Sequence, residues 1–86
     1  MEEKKIPSSF FTPKQKKVWD FIKDYFEDME YPPTYAEIQE FMKFKSVSQV
    51  HHIVNQLKIK GYVTNVPGIA RSIYAKDPNS NIVRSK

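Results

Sequence analysis

Between residues 12 and 60 the apolar positions recur on a helical period three times, and after Gly61 the pattern changes to alternation. Val18, Trp19, Ile22, Tyr25, Phe26 and Met29 make one broad face of a first helix, with Lys16, Lys17, Lys23, Asp24 and Asp28 largely opposite. Ile38, Phe41 and Met42, at i, i+3 and i+4, mark a shorter second helix. Val50, Ile53, Val54 and Leu57, at i, i+3, i+4 and i+7, stripe a third, whose other side carries Ser48, Gln49, His51, His52, Asn55 and Gln56. Ile59 breaks the pattern: it projects toward the polar side and must either meet a neighbouring element or remain exposed.

Local signals set the ends of these segments. Thr12-Pro13-Lys14-Gln15 combines a Thr N-cap, a proline at the first helical position and a Gln three residues after the cap, so the first helix starts there and runs to about Met29. Glu30-Tyr31-Pro32-Pro33 must be extended, because each proline pushes the residue before it out of the helical region. Thr34-Tyr35-Ala36-Glu37 is a second capping box, and that helix gives way near Phe44-Lys45. Ser46-Val47-Ser48-Gln49 reads as a third, and the helix it opens ends at Gly61, after Lys58 and Lys60 in the last turn.

Beyond Gly61, Tyr62 to Val66, the Pro67-Gly68 turn and Ile69 to Ala75 predict two short strands and a hairpin with Arg71 as its cation. The expected fold is mainly α with a small β-hairpin, a winged helix-turn-helix made of a three-helix bundle plus a wing, over residues 12–76. Residues 1–11 carry mixed charge and no period, which reads as a flexible arm pinned at Phe10 and Phe11. Residues 77–86 begin with Asp77-Pro78-Asn79-Ser80-Asn81 and read as a tail or the start of a linker.

Composition narrows the class. Eighty-six residues hold one domain with one small core, and 40% apolar residues suffice to form it. The absence of cysteine excludes disulfides, thiolate zinc sites and thiol nucleophiles. Met1-Glu2-Glu3-Lys4-Lys5 is charged and no long apolar run follows, so neither a signal peptide nor a membrane span is expected and the chain reads as soluble and cytoplasmic.

Charge changes the picture more than its total of +4 suggests. Residues 1–40 hold nine acids and six bases, whereas residues 41–76 hold six bases and no acid. A small domain segregated in this way presents a basic side suited to a polyphosphate partner.

The third helix supplies what such a partner requires. Ser46, Ser48, Gln49, His51, His52 and Asn55 bring donors and acceptors of the kind that read base edges, and the amides of Gln49, Asn55 and Gln56 match adenine in the major groove, with Gln49 the best placed. Lys43, Lys45, Gln56, Lys58, Lys60 and Arg71 flank that face as candidates for backbone phosphates, with Arg71 on the wing also within the reach of a minor groove. Adjacent histidines diverge by about 100° on a helix, so His51 and His52 do not close on one metal ion. With only Gly61 and Gly68 there is no phosphate-cradling loop, and no catalytic constellation, cofactor site or small-molecule substrate is expected. The alternative is a winged helix used as a protein interaction module within a larger assembly.

From about Thr12 to Ala75 the chain resembles the amino-terminal DNA-binding domain of the LexA repressor. The likeness rests on Thr12-Pro13-Lys14-Gln15, on Pro32-Pro33-Thr34-Tyr35-Ala36-Glu37-Ile38, on Phe44-Lys45-Ser46 and on Leu57 to Gly61. The resemblance implies a winged helix that lays its third helix in the major groove of operator DNA and represses transcription, in the family as part of the DNA-damage (SOS) response. It carries base-reading roles onto Ser46, Ser48, Gln49, His51 and His52. The family usually has an Asn and paired acids where this chain has Ser48, His51 and His52, so a different operator is expected. The family's carboxyl-terminal domain, with its self-cleavage site and Ser/Lys pair, is not among these residues, so self-cleavage is not expected of them. Whether two copies pair on an inverted-repeat operator is left open, as is the choice between a fragment of a longer repressor and a stand-alone regulator.

Overall fold

The computed structural model describes residues 11–76. Helices α1 (Pro13–Met29), α2 (Tyr35–Met42) and α3 (Val47–Lys60) precede strands β1 (Val63–Thr64) and β2 (Tyr74–Ala75), the order expected from the periodicity. The expected tail lies outside the described residues, as does the arm up to residue 10. Phe11, expected to pin the end of the arm, lies in the core: it is 7% exposed, with its ring 5.7 Å from that of Trp19 and 4.9 Å from that of Tyr62.

Two helix starts close as the sequence predicts. Thr12 Oγ1 accepts from Gln15 N and Gln15 Oε1 from Thr12 N, both at 3.1 Å. At α2 the same exchange joins Thr34 and Glu37, at 3.1 and 2.8 Å. Each box satisfies two amides that the helix itself leaves unpaired. The helix ends differ from one another. α3 closes on Gly61 at φ 88°, where no Cβ opposes the left-handed conformation, whereas α1 and α2 close on Glu30 at φ 70° and Lys43 at φ 60°. For a residue with a Cβ that conformation costs about 1–2 kcal/mol.

The core takes Val18, Trp19 and Ile22 from α1, Ile38 from α2, and Val50, Ile53, Val54 and Leu57 from α3, and Tyr62, Val63, Ile73 and Ala75 close it from the wing side. All three helices pack on one another, β2 on α1 and β1 on α3. Trp19 Nε1 donates to the Tyr62 carbonyl at 2.8 Å and so ties the root of the wing to α1. The predicted apolar stripes are wider than the buried ones. Met29 is 43% and Phe41 51% exposed, and Phe41 stacks on Phe21 at 4.2 Å near the surface.

The wing departs most from expectation. Val63 pairs with Ala75 and Thr64 with Tyr74 across the sheet, and Lys76 N donates to the Tyr62 carbonyl at 2.8 Å, in place of strands reaching to Val66 and Ile69. Buried Ser72 takes over from the ladder beyond that point. Its hydroxyl accepts from Val66 N at 2.9 Å and lies 2.9 Å from the Ile69 carbonyl and 3.1 Å from that of Val66. A side chain therefore holds the loop that backbone pairing was expected to hold.

Candidate nucleic-acid interface

α3 buries its Val50, Ile53, Val54 and Leu57 stripe, and so Ser48, Gln49, His51, His52 and Asn55 all point outward and are exposed. Ser46 and Lys45 are exposed just ahead of them, and Lys43 at the end of α2. Ile59, which had two possible fates, is 78% exposed.

The polar ridge of α3 stands between two depressions. One, of about 660 Å³, separates it from the wing and is walled by Tyr35, Ala36, His51, Asn55, Lys58 and residues 65–70. The other, of about 310 Å³, separates it from the start of α1, and Thr12, Lys14, Phe44, Ser48, Gln49 and His52 line it. His51 and His52 thus face opposite depressions, and His51 packs on Tyr35 with ring centroids 4.5 Å apart. Burial raises the Tyr35 pKa.

The expected capping box of α3 does not form. Ser46 adopts the extended N-cap conformation, but its side chain makes no cap bond. Its Oγ lies 2.8 Å from Ser48 Oγ, and Gln49 Oε1 accepts from Lys45 N at 3.1 Å, one residue too early to close a box. The amino end of α3, with its partial positive charge, therefore lacks a side-chain cap beside Lys43 and Lys45. In this arrangement Gln49 keeps both donors of its amide nitrogen but already uses one acceptor position of its oxygen, whereas Asn55 keeps both halves of its amide.

Three of the predicted backbone contacts are turned toward the protein. Gln15, 3% exposed, donates from Nε2 to Gln56 Oε1 at 2.9 Å and accepts from Lys60 Nζ at 2.9 Å, so both residues are tied to α1. Arg71 forks onto Glu37, with Nη1–Oε1 at 3.1 Å and Nη2–Oε2 at 2.8 Å. It also donates to the Pro32 carbonyl at 2.9 Å, and its guanidinium lies 4.8 Å from the centre of the Tyr31 ring. The wing cation is thus exposed but tied back to the protein by these contacts. Lys58 remains in the larger depression, and Lys14 is a cation that charge counting by halves passed over, 5.9 Å above the Phe44 ring in the smaller one.

The fork sets the electrostatics of α2. Hydrogen bonding to Arg71 first, then to Thr34 N–H and the Tyr25 hydroxyl, outweighs burial and lowers the Glu37 pKa from its ordinary 4.5 to about 2, and the same contacts raise that of Arg71. Because the folded value is depressed, the stability it contributes is whole above pH 4.5 and is lost as the pH falls through about 2. No group of His, Asp or Glu able to hold a metal occurs among the described residues, and none of their helices is long and apolar enough to cross a membrane.

Three packed helices, a short turn into an outward-facing third helix and an antiparallel wing behind it define a winged helix-turn-helix domain. The family model for the LexA DNA binding domain matches residues 8–72. The chain is 37% identical over 71 residues to the LexA repressor of Cellvibrio japonicus, covering 83% of this chain and 36% of that protein. It is 40% identical over 62 residues to that of Saccharophagus degradans, 72% of this chain and 31% of that one. With the protein from Carboxydothermus hydrogenoformans the identity is 36% over 68 residues, 79% and 33% of the two chains. The chain belongs to the LexA DNA-binding domain family, and it spans about a third of the length of these curated relatives.

Proposed function

We propose that the chain binds double-stranded DNA as the sequence-reading domain of a transcriptional repressor of the LexA type, acting in the cytoplasm. The observation that carries the reading is the start of α3: an uncapped helix end beside Lys43 and Lys45, opening an exposed face with no acid on it. Family membership supplies the class of partner.

In this mechanism α3 enters the major groove, with Ser46, Ser48, Gln49, His51, His52 and Asn55 toward base edges. The uncapped amides, Lys43 and Lys45 meet the backbone at one end, Lys58 and Lys14 meet it from the two depressions, and these contacts fix register without reading sequence. Gln49 offers its amide NH2 while Lys45 N–H occupies one acceptor position of its oxygen, so a bidentate pair with adenine has to share or displace that bond. Gln56 and Lys60 steady α3 through Gln15, away from the duplex. The wing approaches the flanking minor groove through Val66 and Ile69, which are 53% and 58% exposed.

Selection of bound duplexes from a random pool tests the proposal. Recovery of a common sequence is expected, and an inverted repeat would reveal two copies and their spacing. Failure to enrich any sequence, with no retention on duplex DNA even in dilute buffer, would overturn it.

A further inference from the structure

The wing is attached to the bundle at two points. One is its root, where β1 and β2 pair, Trp19 holds Tyr62, Tyr74 packs on Phe26, and Val63, Ile73 and Ala75 are buried in the core. The other is Arg71, on which the α1–α2 turn (Tyr31, Pro32), the first turn of α2 (Glu37) and the wing converge. Between them the loop is closed on itself by Ser72, so it moves as a unit and not residue by residue. The wall of the larger depression opposite α3 is this unit, and Tyr35 and Ala36, at the start of α2, form part of its floor. With the root anchored in the core, the gap between the wing tip and α3 depends on what fixes the loop to the start of α2.

We infer that Arg71 and Glu37 are a positioning pair, which presets the cleft between wing and α3 for a duplex, and that Arg71 is not a phosphate contact. The inference rests on the DNA-binding reading above. Glu37 has two tasks. Oε1 accepts both from Thr34 N, which caps α2, and from Arg71 Nη1, while Oε2 accepts from Arg71 Nη2. The low Glu37 pKa keeps the pair charged at neutral pH.

The sign of one substitution separates this role from simple electrostatics. Removing an acid near a polyanion ordinarily tightens binding. Glu37→Gln retains an oxygen for Thr34 N and loses the charge that holds Arg71, so it should weaken binding, as should Arg71→Gln, each by roughly fivefold, the order expected when a segment must be ordered on binding. The double variant should be no worse than either single one. The slope of log affinity against log salt should match that of the unaltered chain in Arg71→Gln.

A fall in that slope by about 0.9 would make Arg71 a phosphate contact and overturn the inference. Tighter binding by Glu37→Gln, or additive losses in the double variant, would overturn it too. A readout without DNA keeps this separate from the wider reading. The chain has no cysteine, so spin labels at Ala36→Cys and Ile69→Cys report the wing-to-α2 distance alone. The distance distribution should broaden in both Arg71→Gln and Glu37→Gln, and unchanged distributions would overturn the positioning role. If the unaltered chain binds no duplex, the DNA-binding reading fails while the distance measurement still decides what the pair does.

Discussion

The starts of α2 and α3, twelve residues apart, carry the same kind of signal and use it in opposite ways. Thr34 and Glu37 turn their side chains onto each other's amides and complete a box. Ser46 and Gln49, at the same spacing, do not: one hydroxyl meets a neighbouring hydroxyl, and the amide reaches back to Lys45. The first arrangement stabilises a helix. The second leaves the helix end without a side-chain cap and its polar side chains joined only to near neighbours at the surface, beside a lysine held in a left-handed conformation. Groups left unsatisfied by their own fold are the groups a partner can satisfy, so a motif shared by two helices marks structure in one and a site in the other.

Four substitutions sharpen or break this contrast. The largest effect is expected from Gln49→Ala, which should weaken binding to the selected duplex by about 1–3 kcal/mol if the amide pairs bidentately, and by about 1 kcal/mol if Lys45 keeps its oxygen. Titration against selected and random duplexes measures it, and equal losses on both would remove Gln49 from base reading. Lys43→Gly should raise stability by about 1 kcal/mol in denaturant unfolding, because glycine enters the left-handed region freely. The same change should flatten the salt dependence of DNA binding by about one phosphate contact. A gain in stability with an unaltered slope would mean that the lysine is strained to no purpose at the interface.

Thr34→Ala should lower stability by about 1 kcal/mol and leave the affinity of the folded protein nearly unchanged. Ser46→Ala is the smallest in stability, within about 0.5 kcal/mol of the unaltered chain, since no cap bond is lost. Its effect should appear in DNA binding instead. A stability loss at Ser46 equal to that at Thr34 would erase the difference between the two starts.

How far the chain could be read without coordinates follows from the range of the interactions involved. All three helices were legible because caps, prolines and apolar stripes act over a few residues, and α1 and α3 end where Met29 and Gly61 suggested. The wing was legible as an element but not in its length, since Ser72 replaces ladder bonds with side-chain ones that no alternation reveals. Arg71 reads as a candidate phosphate or minor-groove contact because its partner Glu37 lies 34 residues upstream. Gln15 read only as a cap partner, while the bonds that make it a hub span 41 and 45 residues. In the sequence Lys14 carries no sign of its final position, because it sits in the half with excess acid, although folding places it beside Ser48, Gln49 and His52. The clue available for Gln15 was slight: it is the one amide in the first turn of a helix whose opposite face is charged.

The bond between the indole of Trp19 and the Tyr62 carbonyl makes the molecule its own optical gauge. Trp19 is the sole tryptophan in the chain, 6% exposed, and it sits where the first helix meets the base of the hairpin. Its emission is shielded from water only while that junction is shut. A red shift that precedes loss of the helical circular dichroism signal would therefore mean that the hairpin peels away first, and a coincident change would mean that bundle and hairpin melt together.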